Sequence, residues 1–176
     1  MKTFDFPELK QIYEYDCGAC ALESVFMYYD KNVFEKDIMK VAGTLPESGT
    51  SIKGMLKAIK HFGFEGELKE LNIDELKKYV DKKVPVILRL QAWSQHKNTN
   101  WIKDWKHGHY VVVVGYDHKN FYFEDPWVSF RTYLKFGELI ERWHDIDIDN
   151  KKYVNCGIVV IGKKKNYDYK KVVHME

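Results

Sequence analysis

From Cys17 onward the apolar residues Ala21, Leu22, Val25, Phe26, Tyr28 and Tyr29 recur at the spacing of one helix face, which predicts a helix beginning near Cys17. A second helix is expected from about Phe34 to Val41, stopped by Gly43. A third fits Ile52, Met55, Leu56 and Ile59, with Thr50 or Ser51 as its cap and Gly63 beyond its end; a fourth fits Asp74 to Val80. From Val84 the texture changes to short β-branched and aromatic runs. Val84–Leu90, Tyr110–Tyr116 and Phe121–Phe123 read as strands, with Asp117-His118-Lys119-Asn120 as a hairpin turn between the second and third. Ser129 to Leu134 and Val154 to Ile161 supply two more strands around a helix at about Phe136 to Trp143. Helices first and sheet second predicts an α+β fold, N-terminal helices packed on a C-terminal antiparallel sheet, rather than a repeating βαβ chain. The long connection Ala92 to Gly108 carries Trp93, Trp101, Trp105, His96 and His107, and such connections are often functional.

Composition narrows the classes. A chain of 176 residues is expected to form one domain, spanning 1–176. Its 28 basic against 26 acidic residues leave a net charge of +2, too balanced for a dedicated nucleic-acid binder. No run of 18 apolar residues is present and no signal peptide opens the chain, so no membrane segment is expected. Three cysteines, Cys17, Cys20 and Cys156, are too few for a disulfide framework and suit a cytoplasmic, reduced setting. The short charged runs Lys163-Lys164-Lys165 and Asp145-Ile146-Asp147-Ile148-Asp149 do not read as linkers, and the Lys163 to Lys171 tail reads as a solvated terminus.

The chemistry-bearing residues lie in three separated places: Gln11 with Asp16-Cys17-Gly18, His109 opening a valine-rich strand, and Asp125-Pro126 closing the next. A cysteine at a helix start is favoured as thiolate by the exposed backbone amides and the helix dipole. His109 suits its partner base, Asp125 would orient the imidazole, and the Gln11 side-chain amide could join the Cys17 N–H as an oxyanion hole. The same residues admit other chemistry. Cys17-Gly18-Ala19-Cys20 could be a redox pair, but no thioredoxin-like pattern surrounds it; His96, His107 and His109 could bind zinc, but no acidic third ligand has diagnostic spacing. No cofactor or metal is therefore expected. Cys20 reads as core.

These motifs, in order, resemble the papain-like cysteine peptidases that process double-glycine leaders of bacteriocins, and their stand-alone relatives. The resemblance is carried by Gln11, Asp16-Cys17-Gly18-Ala19-Cys20, Tyr28-Tyr29, Gly49-Thr50-Ser51, Pro85-Val86-Ile87, His109-Tyr110-Val111-Val112 and Asp125-Pro126, within 11–126. It implies a nucleophile at Cys17, its histidine at His109, its acid at Asp125 and its oxyanion glutamine at Gln11. In the transporter-linked branch the domain precedes membrane helices and an ATPase. Here the chain ends at Glu176 without either, so leader processing is not expected, and the Trp93 to Lys106 insertion lies where groove walls belong.

The expected function is hydrolysis of a peptide or other amide bond through a Cys17 acyl-enzyme. The alternatives are a peptide-binding module of the same fold, or an acyltransferase using the same thioester. The expected partner is a peptide or peptide-like substrate. Trp93 to Gly108 is expected to act as a gate over the site.

Overall fold

The structure is a computed structural model, which describes residues 1–163, 167, 168 and 170–175. Residues 164–166 and 169 of the lysine-rich tail lie outside that set. The elements are β1 (Lys2–Thr3), α1 (Cys17–Tyr28), α2 (Glu35–Ala42), α3 (Ile52–His61), β2 (Glu65–Glu70), α4 (Ile73–Asp81), β3 (Val86–Gln91), a 3-10 turn at Trp101–Lys103, β4 (Gly108–Tyr116), β5 (Asn120–Glu124), β6 (Thr132–Lys135), α5 (Phe136–Arg142), β7 (His144–Ile146), β8 (Lys152–Val154) and β9 (Cys156–Ile161).

Local chemistry explains the helix ends. Ser51 Oγ accepts from the Gly54 amide at 3.0 Å and so caps α3. Asn72 and Glu75 form a capping box that starts α4. Gly43, at φ +72°, ends α2 in the left-handed conformation. The two helices α2 and α3 cross closely at Gly54, where a β-carbon would stand 2.3 Å from the Ala42 carbonyl oxygen. Gly54→Ala is therefore expected to lower stability by roughly 1 to 3 kcal/mol, read as a fall in Tm; an unchanged Tm would mean the helix pair yields freely.

The main sheet runs β2-β9-β3-β4-β5-β6, with β1 pairing the far end of β4. Every pairing in it is antiparallel. His109 to Gly115 of β4 are buried without a break; because neighbours along a strand point to opposite faces, the sheet is covered on both faces there. Phe26, Phe121, Phe123 and Trp143 are the largest side chains shut into the core.

Several elements differ from expectation. β2 carries one apolar residue, Leu68, in Glu65–Glu70, and forms as a charged edge strand held by its ladder to β9. The single strand expected over Val154–Ile161 is broken at Asn155, whose φ of +53° turns the chain from the β7–β8 ribbon into the main sheet. β7 itself begins the alternating Asp145–Asp149 run. The strand expected from Ser129 starts at Thr132 instead.

Candidate functional site

The residues before α1 fold into a turn that Asp16 holds from inside. Asp16 stands at the N-cap of α1, but its side chain makes no capping bond to the helix; its Oδ2 accepts from the amides of Ile12 at 3.2 Å and Tyr13 at 2.9 Å. Cys17, the next residue, is the first of the helix and partly exposed. Gln11 is tied down twice: its backbone N–H donates to the Pro126 carbonyl at 2.8 Å, and its side-chain Nε2 donates to the Tyr13 carbonyl at 2.6 Å. That second bond uses one of the two amide hydrogens. The first stitches the Gln11 turn to the turn carrying Asp125.

β4 and β5 bring His109 and Asp125 together. His109 Nε2 lies 2.7 Å from Asp125 Oδ1, both residues buried. The carboxylate is fixed in turn by the Trp127 amide at 3.0 Å on Oδ1 and by Thr132 Oγ1 at 3.0 Å on Oδ2. With Nε2 committed, Nδ1 is the ring nitrogen left for Cys17, whose side chain is in hydrogen-bonding contact with the imidazole. Burial lowers the His109 pKa, but the hydrogen bonds to Asp125 and Cys17 and their charges reverse this and raise it to about 9. Such a pair can take the thiol proton on attack and return it to a leaving group. Cys20, 1% exposed, has its thiol held well up by burial and by surrounding carboxylates, and that of Cys156 is also raised by burial.

Cys17 opens onto a cavity of about 310 Å³ walled by Tyr15, Gly49, Trp105, Gly108 and Tyr110. Beneath it is a charged group that the sequence reading passed over. Arg89 of β3 pairs through Nε with Asp145 and through NH1 with Asp147 at 2.7 Å, and its guanidinium lies 5.3 Å from the Tyr110 ring centre. Gln91 Nε2 completes it, donating to Asp145 Oδ1 at 2.8 Å. Gly108 is needed beside this group, because a β-carbon there would stand 2.1 Å from the Asp145 carboxylate. Two signals were available: one arginine inside an apolar strand, and aspartates alternating at the period of a strand face.

The Trp-rich segment is closed at its base by the Ala92 amide donating to the His107 carbonyl at 2.9 Å. Trp101 packs against Arg142, 4.0 Å from ring centre to guanidinium, and Trp105 against His144 at 4.4 Å and Lys152 at 4.6 Å. These contacts anchor its second half, and Trp105 and Lys106 wall the cavity beside Cys17. Limited proteolysis is expected to cut first within 94–100, where exposed residues dominate; first cuts at 101–106 would show that the wall is not fixed. His107 points its ring at Asp104, 2.5 Å away, and not at His109's partners. Among the described residues no group of three or more His, Cys, Asp or Glu could hold a metal ion, and no helix is long and apolar enough to cross a membrane.

A model of the Peptidase C39 family matches residues 5–152, and the chain belongs to that family; membership makes it a cysteine peptidase-like hydrolase. The Pediocin PA-1 transport/processing ATP-binding protein PedD of Pediococcus acidilactici is 26% identical over 139 residues, which is 78% of this chain and 17% of the relative. The chain thus spans about a sixth of that relative's length. A putative C39-like peptidase from Bacillus anthracis superposes with a TM-score of 0.69 at 15% identity, over 94% of this chain and 100% of that one. A double glycine motif protease from an AMS/PCAT transporter, in complex with its leader peptide, gives 0.64 at 20% identity, over 90% and 92%. The shared fold is the papain-like combination of helices and antiparallel sheet expected from the element order.

Proposed function

We propose that this C39 peptidase hydrolyses a peptide bond through a thioester on Cys17. His109 takes the thiol proton and returns it to the leaving amine, Asp125 orients the imidazole, and the Gln11 amide with the Cys17 N–H receives the oxyanion. The observation that carries this reading is the buried His109–Asp125 bond of 2.7 Å, with Cys17 on the other side of the ring. Attack by the thiolate forms the C–S bond and expels the amine with the proton held on His109; water then cleaves the thioester and restores the thiol. The 310 Å³ cavity beside Cys17 would receive one side of the peptide. All three cysteines are free, a state that a reducing compartment such as the cytoplasm preserves.

The double-glycine protease and the pediocin processing protein bring leader-type peptides back as the first substrates to try, against the expectation from the sequence. The test is incubation with such a peptide and mass analysis of the products, together with iodoacetamide labelling mapped by peptide. Cleavage at one bond, with Cys17 alkylated first, is expected. Preferential labelling of Cys20 or Cys156 would sink the assignment, and transfer of the acyl group to an added amine without hydrolysis would favour the acyltransferase alternative.

A further inference from the structure

That mechanism does not use a pair of buried carboxyl groups where α2 packs on the start of α1. Asp16 is 0% exposed and Glu35, the first residue of α2, is 7% exposed. Their side chains are in hydrogen-bonding contact. Asp16 commits Oδ2 to the Ile12 and Tyr13 amides, while its Oδ1 and Glu35 Oε1 are both buried and have no donor among the described residues. Two carboxylates offer one another only acceptors, so their contact is repulsive unless one carries a proton; a single shared proton satisfies both orphaned oxygens. It belongs on Glu35, because Asp16 already accepts two N–H groups on Oδ2 whereas Glu35 Oε1 has no donor among the described residues. Among the described residues, α1 also turns towards Glu35 the carboxylate of Glu23, which accepts from the Glu35 amide, and the buried thiol of Cys20.

We propose that Glu35 is a positioning residue for the hydrolysis described above, on which this inference rests: its acid hydrogen bridges to Asp16 Oδ1 and thereby fixes the turn that presents the Gln11 amide. The linkage is a series of hydrogen bonds. Glu35 holds Asp16, Asp16 holds the Tyr13 amide, and the Tyr13 carbonyl holds Gln11 Nε2 at 2.6 Å. Burial, then the charge and hydrogen bond of Asp16, then the charge of Glu23, keep the Glu35 carboxyl protonated up to about pH 8. Above that, adjacent anions repel and the turn loosens, so the contribution is present at neutral pH and lost as pH rises through about 8.

Peptide hydrolysis by the full chain is to be followed against pH for wild type, Glu35→Gln and Glu35→Ala, alongside 13C-carboxyl NMR of Glu35. The wild-type kcat should fall in two steps, near 8 from Glu35 and near 9 from His109. Glu35→Gln, whose amide donates to Asp16 at every pH, should keep kcat within about twofold at neutral pH and lose only the lower step. Glu35→Ala should lower kcat about tenfold, with KM and the alkylation rate of Cys17 nearly unchanged. A Glu35 midpoint below about 6, near the ordinary glutamate range, or a step near 8 that persists in Glu35→Gln, overturns the inference. Absence of hydrolysis by the wild type counts against the peptidase reading alone, since the NMR midpoint decides on the carboxyl bridge by itself.

Discussion

Replacing His109 by alanine is expected to lower peptide hydrolysis roughly 10⁴-fold, the upper range for one positioned proton carrier, and to slow alkylation of Cys17 at neutral pH. The same change at His107 is expected to leave both rates within a few-fold. The two residues flank one glycine, yet their surroundings differ. His109 is buried against Asp125 at 2.7 Å and touches the Cys17 side chain. His107 is spent on Asp104, and its backbone amide is held by Gln91 Oε1 at 2.9 Å. The raised pKa of His109 also fixes a pH limb: imidazolium persists through neutrality, so donation to the leaving group fails only as pH passes about 9. That limb should survive in Glu35→Gln. Loss of labelling in His107→Ala, with His109→Ala unaffected, would mean that the two histidines have been assigned the wrong way round.

The local order of residue types made the site's inner members readable. A cysteine at a helix start, a histidine at the mouth of a valine strand and an aspartate before proline each stand at the end of an element, where a side chain meets solvent or a cleft. What surrounds them was not readable in the same way. Arg89 meets Asp147 across 58 residues, and Glu35 reaches Asp16 only because α2 packs on α1. No periodicity reports such contacts, since they follow from tertiary packing rather than from the pattern of any one segment. β2 was missed for a related reason: with Leu68 as its one apolar side chain, its strand state depends on the hydrogen bonds of β9. The tryptophans of the 93–108 connection stood out in the sequence, but their partners, Arg142 and His144, did not, because those contacts too cross from one element to another.

Gln11→Ala is expected to lower kcat by about 10² to 10³, the usual cost of one lost oxyanion donor. KM and Tm should change little, because the side chain makes a single hydrogen bond, to the Tyr13 carbonyl, while the backbone bond to Pro126 is retained. Alkylation of Cys17 separates this role from thiol activation: displacement of iodide generates no oxyanion, so the labelling rate of Gln11→Ala should match wild type. A folded variant with unchanged turnover removes Gln11 from the site. Combining the change with Glu35→Ala tests the hydrogen-bond series directly, because residues acting through one another do not give additive losses. If Glu35 works by holding the Gln11 amide, the double variant should be scarcely slower than Gln11→Ala alone. A further tenfold loss would mean that Glu35 reaches the chemistry by another route, through the Cys17 N–H at the start of α1.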